Sequence, residues 1–162
     1  DILRRAGIDI SMISINGKKK VTGAHGIALD TDEDIVQCDP DKLDMLVLPG
    51  GMPGTTNLAA CEKLTEALKK ADQEKRGIAA ICAAPSVLGD LGFLKGKKAV
   101  CYPGFESRLT GAEVLAVPVV TDGHITTSRG MGTAIAFALE LTKRLKDEET
   151  AKQVGRSIIY NV

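Results

Sequence analysis

Two short runs of apolar residues, at positions 45–48 and 78–81, constrain the fold of this chain more than any other feature. Runs that are apolar throughout are typical of strands buried on both faces of a parallel sheet. A turn signal, Pro49-Gly50-Gly51, follows the first run, and Cys82 and then Pro85 follow the second. Because parallel strands need a crossover connection, which is usually a helix, the sequence predicts an α/β protein.

Strand-like and helix-like segments alternate along the whole chain. Residues 1–7 have the pattern of a helix end closed by Gly7, Asn16-Gly17 suits a hairpin turn, and residues 30–44 suit a surface connection. Strands are predicted at residues 8–15, 21–22, 26–29, 45–48, 78–81, 98–101, 117–121 and 124–127. Helices are predicted at residues 58–76, after Pro85, and at residues 133–145 and 148–154. This order predicts one three-layer α/β domain over residues 1–162, built around a mostly parallel sheet.

Charge and cysteine usage exclude several classes of function. The 162 residues include 21 Lys plus Arg and 21 Asp plus Glu, a balance that argues against nucleic-acid and membrane-surface partners. No apolar run approaches the length of a membrane span. The four cysteines form no C-x-x-C motif, so we expect neither a zinc site nor a disulfide framework, and no cofactor. Reduced thiols favour a cytoplasmic location.

The chemistry-bearing residues follow the two apolar runs. In an open parallel sheet, sites form beyond the carboxyl ends of the strands. Cys82 lies between a strand and a helix start, where partial positive charge favours a reactive thiolate. The backbone N–H groups of Gly51 and Ala83 are candidates for an oxyanion hole, with Gly50 lining the same cleft. The alternative is that Cys82 is a small buried core residue.

Three strings resemble one family closely. They are Leu48-Pro49-Gly50-Gly51, A-A-I-C-A-A-P at residues 79–85 and T-S-R-G-M-G-T-A at residues 127–134. In this order they resemble the ThiJ/PfpI superfamily, in the branch that contains the parkinsonism-associated deglycase and its bacterial relatives. The resemblance covers essentially the whole chain. It implies a flavodoxin-like α/β sandwich, a homodimer, and Cys82 as the cysteine of a nucleophile elbow.

The sequence departs from this family at two places. The family has a first strand that leads to a glutamate, whose carboxyl group forms a hydrogen bond with the reactive thiol. In this chain the strand and the glutamate would both precede Asp1. We expect about twenty further residues, with that strand and an acid within reach of Cys82, in the native chain. Members with a protease-like dyad have a histidine where this chain has Tyr102, which lines the cleft with Pro103. Because a phenol is a poor general base at neutral pH, a Cys-His protease is disfavoured.

Other polar residues have competing interpretations. Arg5 resembles an arginine that approaches the partner subunit's site, but it also suits the negative end of a helix dipole. His25 resembles a residue that lines the partner's cleft; the alternative, which the sequence favours, is a hairpin histidine in solvent. His124 is predicted to be an exposed turn residue, and residues 128–130 are predicted to form a structural turn.

Two functions from different classes follow. One is a cofactor-independent enzyme of glyoxalase or deglycase type, in which the thiolate attacks a 2-oxoaldehyde or its adduct on a protein or nucleotide amine. The other is a redox-sensing stress protein or chaperone, in which the same cysteine is oxidised to a sulfinate. The elbow is identical in both, so the sequence alone leaves them open.

Overall fold

The computed structural model describes residues 1–160. Its strands are β1 (Ile13–Ser14), β2 (Lys20–Thr22), β3 (Ala28–Asp30), β4 (Glu33–Asp34), β5 (Met45–Leu48), β6 (Gly77–Ile81), β7 (Lys98–Ala99), β8 (Glu113–Val114), β9 (Val119–Asp122) and β10 (Ile125–Ser128). Its α-helices are α1 (Ile2–Arg5), α2 (Gly54–Ala60), α3 (Glu62–Glu74), α4 (Pro85–Asp90), α5 (Ala134–Leu145) and α6 (Glu148–Ser157). Short 3-10 turns lie at Pro40–Lys42, Glu106–Arg108 and Met131–Thr133.

A four-stranded sheet in the order β5-β6-β10-β9 forms the centre of the fold. Strands β5 and β10 pair with β6 in parallel, in registers that place Leu48 beside Ala80 and Ser128 beside Ile81. Strand β9 joins β10 as an antiparallel hairpin at Asp122-Gly123, as the sequence predicts. The carboxyl ends of the three parallel strands therefore lie side by side.

Each face of this sheet is covered by helices. The larger core cluster joins Leu46, Ile78 and Ala80 to α3 and α4 through residues such as Leu68 and Leu88. On the other face Ala79 packs against Phe137 and Leu141 of α5, with Leu3 of α1 beside them. Alternate residues of one strand thus serve opposite cores, which confirms the three-layer α/β architecture.

The segment at residues 8–15 differs from its prediction. Only Ile13–Ser14 forms a strand, and it pairs in parallel with β4. Within residues 1–160, residues 8–12 have no strand partner. After them, the Asp34 carboxylate accepts hydrogen bonds from Ser14 Oγ at 2.9 Å and from the Gly17 N–H at 2.8 Å. Asn16-Gly17 therefore turns the chain without joining two paired strands, and the hairpin forms instead between β2 and β3.

The connection at residues 30–44 is more deeply buried than expected. Asp34, Ile35 and Cys38 are all buried, and β4 lies within this segment. The Val36 N–H, the Ser14 hydroxyl and the Gly17 N–H donate hydrogen bonds to Asp34, and these bonds hold the pKa of its carboxyl below the ordinary value. The segment is thus a structural corner of the fold.

Two other elements are shorter than predicted. The single helix expected at residues 58–76 is divided into α2 and α3, because Cys61 has an extended backbone with ψ at 101°. The strand expected at residues 98–101 ends at Ala99, and the Val100 N–H donates instead to Thr127 Oγ1 at 3.0 Å. The predicted apolar stripe of α3 is nevertheless buried.

Strand β5 is an edge of the central sheet. Its Leu46 and Leu48 are buried, but Val47 is 42% exposed, so the expectation that residues 45–48 are buried on both faces is wrong. Within residues 1–160, β5 has β6 as its one sheet neighbour.

His124 is not the exposed turn residue predicted from Asp122-Gly123. Its side chain is 8% exposed, and Nε2 lies 2.8 Å from Asp72 Oδ1 on α3. This contact links the start of β10 to a helix on the sheet face. None of the helices in residues 1–160 combines the length and apolar character needed to cross a bilayer.

Candidate active site

The cysteine that follows β6 is held by both neighbouring segments. The Cys82 N–H donates to the Ser128 carbonyl at 2.9 Å, and the Tyr102 N–H donates to the Cys82 carbonyl at 2.8 Å. Both backbone groups of Cys82 are therefore fixed, one by the end of β10 and one by the segment after β7. This pair of bonds sets the position of the thiol at the carboxyl edge of the sheet.

Cys82 has a left-handed backbone conformation with φ at 65°. A non-glycine residue in this region costs free energy and persists only where the surrounding structure enforces it. The turn at residues 82–84 leads into α4, whose first residue is Pro85, as predicted. A strained residue between a strand and a helix is the geometry of a nucleophile elbow, which exposes the side chain at the tip of the sheet.

Gly50 lies directly against this turn. A Cβ atom at Gly50 would be 2.5 Å from the Ile81 carbonyl oxygen, 2.6 Å from the Cys82 Cβ and 2.9 Å from the Ala83 nitrogen. Real Cβ atoms do not approach other heavy atoms so closely. The glycine is therefore required for close packing of the loop after β5 on the elbow.

Gly51 and Ala83, whose N–H groups are the predicted oxyanion donors, lie in the loop after β5 and in the elbow after β6. Gly51 has φ at 88°, and its carbonyl accepts from the Thr55 N–H and hydroxyl at 2.8 and 3.0 Å. Within residues 1–160, neither the Gly51 N–H nor the Ala83 N–H is engaged in a hydrogen bond outside regular elements. The two loops that carry these groups meet at Gly50 and Cys82.

The other cysteines have less suitable surroundings. Burial, with the charge of Glu33, raises the pKa of the Cys38 thiol. Burial, with the charge of Glu106, raises the pKa of Cys101 to about 11. Cys61 is partly buried between α2 and α3. Cys82 is thus the only one of the four at the end of a parallel strand of the central sheet.

The remaining predicted site residues fall into two groups. Tyr102 and Pro103 are exposed beside the elbow, and they line a cavity of about 450 Å³. Arg5 and His25 are also exposed, but within residues 1–160 no hydrogen bond or ion pair joins them to the elbow. Arg5 pairs with Asp1 at 2.8 Å.

Arg129 is a candidate that sequence reasoning assigned to a structural turn. It directly follows β10 and lines the same cavity as Tyr102. Among residues 1–160, no carboxylate lies within 4.0 Å of its guanidinium. The signal in the sequence was an arginine at the carboxyl end of a predicted strand, the position where sites form in such sheets.

No group of three or more metal-ligating side chains occurs in the part of the chain that the structure describes.

Comparison with known proteins identifies relatives over most of the chain. The model of the DJ-1/PfpI family matches residues 1–144. Protein DJ-1 homolog B of Arabidopsis thaliana is 38% identical over 161 residues, which cover 98% of this chain and 37% of that protein. This chain therefore spans less than half the length of that relative. Deglycase PfpI of Pyrococcus furiosus is 34% identical over 146 residues, which cover 89% of this chain and 87% of that protein.

The fold also closely matches that of a solved structure. The crystal structure of Drosophila melanogaster DJ-1beta superposes with a TM-score of 0.95 at 34% identity. The superposition covers 100% of this chain and 88% of the fly protein. The resemblance seen in three short strings thus extends to the whole described architecture.

Proposed function

This chain belongs to the DJ-1/PfpI family, and we propose that it is a cysteine-dependent enzyme that acts on small 2-oxoaldehydes or on their adducts with amines. One observation carries the proposal: Cys82, held at φ 65° where two parallel strands end, with glycine packed against it. The name of the Pyrococcus furiosus relative, a deglycase, supports the same chemistry.

The first step is addition of the Cys82 thiolate to the aldehyde carbon. A C–S bond forms, the carbonyl π pair moves to oxygen, and the product is a hemithioacetal. The N–H groups of Gly51 and Ala83 stabilise the negative oxygen of this adduct. Because these donors belong to the backbone, they need no reorganisation as charge develops.

The second step is an internal redox exchange between adjacent carbons. A base removes the proton from the hemithioacetal carbon and returns a proton to the neighbouring carbon, which turns the adduct into a thioester of a 2-hydroxy acid. Water then cleaves the C–S bond, which releases the acid and restores the thiol. The net change is the addition of one water, so no external oxidant or cofactor is needed.

The base of the second step is assigned by resemblance to a carboxylate. Within residues 1–160, no carboxylate makes a hydrogen bond to Cys82. Tyr102, which replaces the histidine of protease-like members, is not given this role because a phenol is protonated at neutral pH.

Turnover of methylglyoxal to lactate by the full protein tests this proposal. We expect turnover in the wild type and in Cys61→Ser, and a loss of at least about 100-fold in Cys82→Ser, since the nucleophile is removed. Cys61 is a matched control because it is a free thiol away from the elbow. Wild-type protein that shows no turnover but readily forms a Cys82 sulfinate would overturn the proposal in favour of a redox sensor.

A further inference from the structure

A cavity of about 450 Å³ lies beside the elbow and is not used by the chemistry above. It is an open groove on the surface and not an enclosed chamber. Tyr102 connects the cavity to the elbow, since it lines the cavity and its N–H donates to the Cys82 carbonyl. The cavity is also lined by the turn from Arg129 to Thr133, whose Gly130 lies against the Tyr102 ring.

Arg129 gives this cavity a positive charge. Its side chain is half-buried, and among residues 1–160 no carboxylate pairs with it within 4.0 Å. Its charge acts in the direction that lowers the pKa of Cys101, against the larger opposing effects of burial and Glu106. The guanidinium therefore acts electrostatically on the elbow side of the sheet, where Cys101 precedes Tyr102.

The other arginines of the chain each have an acceptor within the protein. Arg4, Arg76 and Arg108 each face a carboxylate, as do Arg5 and Arg156. Arg144 donates to the Gly123 carbonyl at the opposite end of β10. Within residues 1–160, Arg129 is thus distinguished by lining a cavity and having no side-chain hydrogen bond or ion pair to a protein acceptor.

The wall next to Arg129 is also suited to an anion. The turn at Met131–Thr133 leads into the twelve-residue helix α5, whose N-terminus carries partial positive charge. Thr133 closes the turn through bonds between its hydroxyl and Gly130, so the wall has a fixed shape. A guanidinium beside a helix start favours a planar carboxylate that accepts two parallel hydrogen bonds.

We propose that this cavity is a subsite for a carboxylate group of the substrate, with Arg129 as its cation. The inference deepens the proposed function, on which it rests, by assigning the substrate class: aldehydes or amine adducts that bear a carboxylate near the reacting carbon. Arg129 then selects and orients the substrate while Cys82 performs the chemistry.

Alkylation of Cys82 tests the subsite without any turnover. Iodoacetate carries a carboxylate and iodoacetamide is its neutral counterpart, so the ratio of their rate constants at Cys82 reports the local charge. We expect Arg129→Gln to lower this ratio by about fivefold, on the order of the effect of one charge at roughly 8 Å in a dielectric constant of about 40. Added salt should lower the wild-type ratio towards that of the variant.

Two further variants keep the test specific. Arg129→Lys retains the charge and should keep most of the ratio, and Arg144→Gln removes an arginine at the other end of β10 and should leave it unchanged. A change in Cys82 ionisation affects both reagents alike and cancels. An unchanged ratio in folded Arg129→Gln would overturn the subsite even if methylglyoxal is turned over. A lowered ratio without turnover would leave the subsite standing and overturn only the proposed reaction.

Discussion

Gly50 lies so close to Cys82 that a Cβ atom at position 50 would be 2.6 Å from the Cys82 Cβ. This contact joins the loop after β5 to the elbow after β6. The loop carries the Gly51 N–H and the elbow carries the Ala83 N–H, so the contact brings the segments that hold these two groups together. The site therefore depends on a missing side chain as much as on the thiol.

Gly50→Ala tests this dependence. Because backbone atoms of Ile81 and Ala83 lie within 3 Å of the added Cβ, the loops must separate. We expect a loss of about 1–3 kcal/mol in the free energy of unfolding and slower alkylation of Cys82. Urea denaturation and alkylation kinetics measure the two effects. Gly54→Ala is the control, since nothing lies within 4 Å of its Cβ position; equal effects in both variants would contradict the argument.

Cys82 is expected to be the first of the four thiols to react. Burial raises the pKa of the Cys38 and Cys101 thiols, the latter to about 11, so both thiols are protonated at neutral pH as well as shielded from the reagent. Limited iodoacetamide labelling followed by peptide mapping measures the order. Modification of Cys61 ahead of Cys82 would show that the elbow does not activate its thiol.

His124→Ala is expected to destabilise the protein by about 1–3 kcal/mol, because the change leaves Asp72 without its buried partner. The matched control is His25→Ala, since the second histidine of the chain is exposed in the hairpin between β2 and β3. That variant should remain within about 0.5 kcal/mol of the wild type. Thermal or urea unfolding measures both, and similar losses for the two histidines would refute the structural role of His124.

Asp34 is expected to contribute an acid-sensitive part of the stability. The hydrogen bond from the Val36 N–H and that from Ser14 lower the pKa of this carboxyl in the folded state from 3.8. The contribution of Asp34 to the free energy of unfolding is therefore complete above pH 3.8, and it is lost as the pH falls through the pKa of the folded state. Unfolding measured against pH should show the gap between wild type and Asp34→Asn shrinking in that window.

Asp9→Asn provides the comparison for this pH dependence. Asp9 is exposed, so its removal should shift the stability curve little at any pH. A gap between wild type and Asp34→Asn that stays constant down to the lowest pH at which the protein folds would contradict the assigned role of the Asp34 hydrogen bonds.

We expect a homodimer whose interface includes Arg4, Arg5 and the hairpin around His25. Ile27 is 70% and Leu29 is 58% exposed on this hairpin, so a cluster of apolar surface is open to a second copy. Sedimentation should show a dimer at micromolar concentration and a monomer for Leu29→Asp. Val114→Asp, on β8, should remain dimeric. A monomeric wild type would rule the interface out.

The parts of the fold that the sequence predicts well are those with local signals. The apolar runs give β5 and β6, and Asp122-Gly123 gives the β9–β10 hairpin because turn chemistry is decided by neighbouring residues. The elbow follows from the same logic, since a cysteine between a strand and Pro85 is a local pattern. Its left-handed φ, however, is enforced by contacts from β10 and from Tyr102.

The failures involve partners that are distant in the chain. Residues 8–15 alternate like a strand, but within residues 1–160 only Ile13–Ser14 finds a strand partner, and that partner, β4, lies twenty residues later in the chain. His124 has a turn-like neighbourhood, and its burial depends on Asp72, 52 residues earlier. Arg129 became a candidate binding residue only when the structure showed that it lines a cavity with Tyr102. Periodicity cannot report any of these pairings.

The left-handed conformation of Cys82 sets two demands on one position against each other. Glycine is the residue that adopts this conformation freely, and glycine has no thiol. Selection for heat resistance and selection for reactivity therefore favour different residues at position 82, and no single substitution satisfies both. The free energy lost there is offset by the rest of the fold, which encloses the elbow closely: Ala80 and Ala84, on either side of it, are fully buried. Homologues adapted to high temperature are thus expected to differ in the surrounding core while retaining the strained cysteine.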